Sequence, residues 1–372
     1  MKETSLKSQY LSGVTYDSIL LIFAPLISLA ISFALAPLMD HSKSLFGLAL
    51  PLIIMSFGIE SFQDTSTIFR AYLNPAVFKR YWGRLTLVPL AGLLLVFVSN
   101  DILLFFIVLD VFWDLYHSSM QTFGIGRVYH VMAGAKSKVG RWQDITLNII
   151  LYVFPIFALL RPNDQEFIGT LYALEGTVFS RVTFMADALE NFSHLFYWPF
   201  TLGEFAFIFY YIWITWRQAK SGEPVSIQKL LLYAVTGFTV YVTWHFCPPL
   251  VIYISLELYH AMHTFGITLW SEKKTLQETF NIKKSWTFFI FIAAILAMAG
   301  GLEVLSEWAN SKGMQLHATN DDRWLFEDSS GLGLIVKLRL IFMLLHAWSD
   351  MWIWSVRKEE VENCSKRTTL PL

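Results

Sequence analysis

Apolar runs of about twenty residues recur along the whole chain, and a helix of that length crosses roughly 30 Å of hydrocarbon. They fall at 16–39, 46–62, 85–98, 102–125, 145–160, 195–216, 230–245, 249–270, 286–308 and 334–355. Lipid offers no partner to an unpaired backbone N–H or C=O, so such runs cross as helices. With 55% of 372 residues hydrophobic and only 15% charged, there is little polar sequence left for a separate soluble unit. The expected fold is all-α: a polytopic integral membrane helical bundle of about ten transmembrane helices, one transmembrane domain over 1–372, with short tails at 1–15 and 357–372. The first run is long and lacks a clear cleavage site, so it is read as a retained span.

The basic residues set an orientation. Lys2, Lys7, Arg70, Lys79, Arg80, Arg84, Arg127, Lys136, Lys138, Arg141, Arg217, Lys220, Lys229, Lys273, Lys274, Lys283, Lys284, Arg357, Lys358, Lys366 and Arg367 fall on one side of this topology. Lys43, Arg161, Arg181, Lys312 and Arg323 fall on the other. The positive-inside rule then places both termini in the cytoplasm, as expected for a bacterial inner membrane. Net charge is −1, so no basic surface calls for nucleic acid. Cys247 and Cys364 lie on opposite sides, which leaves no disulfide and no thiolate metal site. No haem or nucleotide motif is present, and the expected partners are the bilayer and a hydrophobic small molecule.

Ionisable groups inside the spans are expensive and point to function. Asp114-Leu-Tyr-His-Ser-Ser-Met-Gln-Thr-Phe-Gly-Ile125 is nearly repeated by Glu257-Leu-Tyr-His-Ala-Met-His-Thr-Phe-Gly-Ile267. Even-numbered spans all run the same way, and each ends near a basic residue: Arg70, Arg127, Lys273 and Arg357. Counting back about ten to thirteen residues at 1.5 Å each reaches Glu60, His117, His260 and His346 at one depth. One turn further in lie Asp64, Gln121, His263 or Thr264, and Asp350. Imidazoles and carboxylates suit iron, zinc or manganese. Metal-bound histidines usually hand their other N–H to a carboxylate, and Asp114, Glu257 and Asp350 are placed to take it. Tyr116 and Tyr259 flank the two best histidines and are the candidate catalytic groups, as hydrogen-bond donors to an oxygen ligand.

These residues resemble a family. Pro248-Pro-Leu-Val251, followed by the two-histidine motif and Trp270, is similar to the penultimate helix of the Brp/Blh bacterial membrane β-carotene 15,15′-dioxygenases. His346-Ala-Trp-Ser-Asp350, with Trp352-Ile-Trp354 and Arg357, is similar to that family's last helix. Glu60 and Asp64 stand where the family carries a His-x-x-x-Asp motif, and His117 stands at its His-Phe-Gly motif. Here the paired histidines are spaced His-x-x-His, and Gln121 or Thr122 replaces an acid. The resemblance implies a mononuclear Fe(II) held by four histidines, with O2 cleaving a polyene.

The leading expectation is therefore a membrane metal-dependent oxygenase acting on an apolar lipid or carotenoid. His117, His260 and His346 are its ligands, with Glu60 and His263 as further ligand candidates. Asp64, Asp114, Gln121, Glu257 and Asp350 form an outer ring. Asp114-x-x-His117 and Glu257-x-x-His260 also have the acid-x-x-His spacing of di-iron bundles, so one or two metal ions are open. Two competing readings are a proton-coupled transporter and a non-catalytic assembly protein that uses the polar cluster for packing. Against the transporter, the polar helices do not run in opposed directions as inverted repeats would.

Overall fold

Apolar runs wind into long helices, and among the described residues little else forms. The computed structural model describes residues 6–7, 9–35, 44–45, 48–49, 59, 61–98, 100–155 and 184–316, with 334–335, 337–338, 341, 345–346 and 348–349. Helix α1 (Val14–Asp17) passes through a π-helical turn at Ser18–Ile22, and α2 follows at Ala24–Leu35. Helix α3 (Ser61–Thr67) continues as a second π-helical turn, Ile68–Tyr72. Then come α4 (Pro75–Val98), α5 (Asn100–Met132), α6 (Arg141–Val153), α7 (Phe184–Lys220), α8 (Ile227–Phe246), α9 (Pro249–Thr279) and α10 (Ser285–Leu316). Pro75 and Pro249 open their helices at the first position, where a missing N–H costs nothing. Leu345, His346, Trp348 and Ser349 are helical as well.

Three sequence expectations change. The run at 16–39 is not one straight span: its two helical halves meet at a 62° bend. Pro25 lies at that break and cannot donate to the carbonyl four residues before it. The run at 46–62 does not start as helix, because Leu48–Ala49 pairs antiparallel with Ser44–Leu45. Helix α10 continues to Leu316, into a stretch expected to be an outer loop. Among the described residues, Ser285–Leu305 is long and apolar enough to cross a membrane, and the bent pair Val14–Ile22 with Ala24–Leu35 passes as a second span. Other long helices interrupt their apolar runs with acids: Asp110 and Asp114 in α5, Glu204 in α7, Glu257 and Glu272 in α9.

Helix α9 is the axis of the packing. Every residue from Leu258 to Thr268 is buried, so this helix is covered on all sides. Ile254, Leu258, Tyr259, Ala261 and Met262 join Leu21, Ile22, Ile125, Leu151, Leu232 and Val240 in the main core. On the other flank Phe265 stacks on Phe62 at 4.6 Å, and a second core gathers Phe69, Leu276, Phe288 and Ile292.

One buried carboxylate ties four helices together near the basic ends. Asp144 of α6 accepts from Arg127 Nη1 of α5 at 2.5 Å and from Tyr211 of α7 at 2.6 Å. Lys229 Nζ of α8 reaches both its oxygens, at 3.1 and 3.2 Å. Burial pushes the Lys229 ammonium below its usual range, and the Asp144 carboxylate pulls it back.

His130 lies beside this group and donates from Nε2 to the Lys136 carbonyl at 3.3 Å. Burial, then the Lys229 and Arg127 cations, lower its imidazole to about 4, while Asp144 and the Lys136 carbonyl work the other way. The unfolded chain takes up this proton near pH 6.5, the folded chain only near 4. Stability is therefore full above the higher value and is lost as pH falls through that window. One proton changes the unfolding constant by at most about tenfold per pH unit. Denaturation midpoints measured from pH 8 to 4 should show this slope, and His130→Gln, which keeps an N–H donor for Lys136, should flatten it.

Candidate metal centre

Three helices that are distant in sequence bring one imidazole each to a common point. His117 comes from α5, His260 from α9 and His346 from the helical residues near the chain's end. All three are buried, and one nitrogen from each lies within 4.8 Å of the others. Ring centroids are 4.8 Å apart for His117 and His260, 5.5 Å for His117 and His346, and 6.2 Å for His260 and His346. The rings meet edge to face at 73°, 84° and 74°, so they converge and do not stack.

Hydroxyls hold these rings from outside. Thr67 Oγ1, at the last α-helical position of α3, lies 2.6 Å from His346 Nδ1. Ser118 Oγ, next in sequence to His117, lies 3.1 Å from His260 Nδ1. One turn on, Gln121 donates to Thr264 Oγ1 and fastens α5 to α9. With Nδ1 engaged by a hydroxyl, Nε2 of His260 is the nitrogen left for a ligand. It is buried and meets no hydrogen-bond partner among the described residues.

That orphaned nitrogen is the fit test for a metal. A buried, unpaired polar atom costs about 1–3 kcal/mol, and coordination would remove the cost. Bound at about 2.1 Å from each nitrogen, a cation would need the rings to close by about an ångström. Three imidazoles with an open side suit iron, zinc or copper better than calcium or magnesium. The residues fit one transition-metal ion.

The sequence placed all three of these histidines by number, and one member of its outer ring has a partner it did not foresee. Glu257 accepts from Gln63 Nε2 at 3.2 Å. Neither Glu257 nor Asp114 belongs to the metal-capable group, which among the described residues is histidine alone. This arrangement favours one cation over two. Tyr116 is 47% exposed and packs on Trp113, so it faces away from the three rings. Tyr259 is buried with its ring 5.6 Å from that of His263 and 6.2 Å from that of Tyr152. A position one before a histidine is rotated about 100° around a helix, which separates both tyrosines from their neighbours' target. His263 stands apart from the three, with Nε2 donating to the Leu21 carbonyl at 2.7 Å. Glu60 and Asp350 lie outside the described residues; Asp64 lies in α3, and its side chain lies outside them too.

Thr67 and Ser118 were missed, because hydroxyls in apolar helices usually bond their own backbone. Arg70 pairs with buried Glu272, which Asn74 also binds at 2.7 Å. The residue of α3 that meets His346 is Thr67, seven positions after Glu60. Thr67→Val should weaken metal binding by about 10–100-fold, and Thr67→Ser should keep it, as read by titration of the metal-stripped protein.

No protein-family model, no curated protein and no solved structure matches the chain.

Proposed function

We propose that this chain is an integral membrane, metal-dependent oxygenase, with Fe(II) as its metal and an apolar, carotenoid-like lipid as its substrate. The observation that carries the reading is the buried convergence of His117, His260 and His346, with His260 Nε2 lacking any other partner among the described residues. In this proposal the chain crosses a bacterial inner membrane about ten times and keeps both termini in the cytoplasm.

Surface chemistry supports the membrane setting. Leu87, Leu90, Leu94, Phe97 and Val98 are exposed along α4, Phe209 and Ile212 along α7, and Phe289, Ile290, Met298 and Leu302 along α10. Soluble monomers rarely expose contiguous apolar faces of this kind, whereas lipid covers them without cost. Where such helices end, cations lie over aromatic rings, as Lys220 does over Trp216 at 3.9 Å. Tryptophan and lysine are enriched at the membrane–water boundary for this reason.

Bound to the three imidazoles, Fe(II) supplies the one-electron and O2 chemistry that no side chain provides. The chain's own contribution is geometric. Thr67 and Ser118 hold the rings by Nδ1 and aim Nε2 inward. Apolar helices around the site exclude water, which protects reactive species from side reactions. An apolar substrate would reach such a site from the lipid phase.

The direct test has two arms. Detergent-purified protein, expressed in iron-rich medium, should carry about one iron per chain, in keeping with the single three-histidine set. A β-carotene-producing strain expressing the chain should accumulate an oxygen-dependent cleavage product, with retinal the first compound to seek. A folded, metal-free protein whose expression changes no lipid would sink the reading.

A further inference from the structure

The sequence offers His263 as a fourth ligand, and the structure gives it another task. We propose that His263 is a clamp that fixes the rotation of α9 against the first helix and so aims His260 Nε2 at the point it shares with His117 and His346. The proposal rests on the metal reading above and adds a positioning residue to it.

The chemistry starts from Pro25. In an unbroken helix the Leu21 carbonyl would accept from the N–H of residue 25, and proline has none. A carbonyl orphaned in an apolar interior is costly. His263 Nε2 lies 2.7 Å from that carbonyl. A carbonyl only accepts, so Nε2 carries the proton and cannot be a ligand atom. Its other nitrogen, Nδ1, is buried without a hydrogen-bond partner among the described residues and is not among those that converge.

Three more contacts seal the same seam. Tyr16 donates to the Gly266 carbonyl at 2.6 Å, and Trp270 Nε1 donates to the Leu11 carbonyl at 3.2 Å. At Gly266 an added Cβ would stand 3.1 Å from Leu20 Cβ and 3.2 Å from Leu21 Cδ2, so only glycine permits this approach without displacement. His260 lies one turn before His263 on the same helix, about 60° around it. A 10° rotation of α9 would move an imidazole tip by about 1 Å, enough to spoil a coordination geometry. The broken first helix thereby sets the aim of His260 through His263.

The test uses the full chain in detergent, stripped of metal and titrated with Co2+, whose visible bands report ligand number and geometry. His263→Phe should weaken Co2+ binding by about 10–100-fold with the band shape unchanged. His263→Gln, which can still donate to Leu21, should recover most of the affinity. Pro25→Ala added to His263→Phe supplies a backbone N–H four residues after the Leu21 carbonyl. It should restore the denaturation midpoint and leave Co2+ binding weak, which separates aiming from mere stability. Gly266→Ala should lower affinity with His263 in place, and it carries the test if the Phe variant does not fold. An altered band shape in His263→Phe would make His263 a ligand and overturn the proposal. Undiminished affinity in His263→Phe or in Gly266→Ala, or recovery of affinity by Pro25→Ala, would overturn it as well. Wild type that takes up no Co2+ would remove the metal reading and the clamp together, whereas wild type that binds beside an equally tight His263→Phe removes only the clamp.

Discussion

Alanine in place of His260 should reduce bound metal to below about a tenth of the wild-type content, since loss of a ligand exceeds the 10–100-fold cost of an outer-ring change. His117→Ala and His346→Ala should do the same, because each of the three rings supplies one nitrogen to a common point. Stability gives a second reading of the same site. At a metal concentration 100 times Kd, binding stabilises the folded state by about 2.7 kcal/mol. Chelation should therefore lower the denaturation midpoint of the wild type and leave that of His260→Ala unmoved. Were the three rings packed for their own sake, the result would invert: chelation would change nothing, and His260→Ala would lose stability without any change in metal content.

Asp144→Asn should be the most destabilising single substitution outside the histidine group. The carboxylate faces two cations and a phenol, and its side chain is 1% exposed. An amide offers one acceptor and no charge, which leaves Arg127 and Lys229 buried beside each other without compensation. Breaking a buried pair in this way costs about 3–5 kcal/mol. Four helices lose their common tie, so the unfolding free energy of the purified chain should fall by that amount. Adding Lys229→Met removes one uncompensated cation and should return part of the loss. A variant as stable as the wild type would mean that water or lipid headgroups reach the cluster.

The sequence read some things directly. Runs of about twenty apolar residues name the helices, and the structure places helix across most of those it describes. Histidine positions in otherwise apolar helices also marked His117, His260 and His346 without any coordinates, because an imidazole there needs a reason. The basic residues read as inner span ends also proved to be tied to buried acids, Arg70 to Glu272 and Arg127 to Asp144. Acid-x-x-His spacing fixes two side chains on one helix, and it could not show that Glu257 also accepts from Gln63 on another.

His260 and His263 show where the boundary lies. Their spacing put both on neighbouring faces of one buried helix, and sequence could not say which would meet His117 and His346 and which the first helix. Helix period is local and is fixed by backbone hydrogen bonds, so residue order alone marked most of the described helices and the histidines that were candidates to converge. Rotation and register of one helix against the next are set by contacts between them. Only the packed structure assigned Thr67 to His346, Ser118 to His260, and His263 to the carbonyl that Pro25 leaves without a donor.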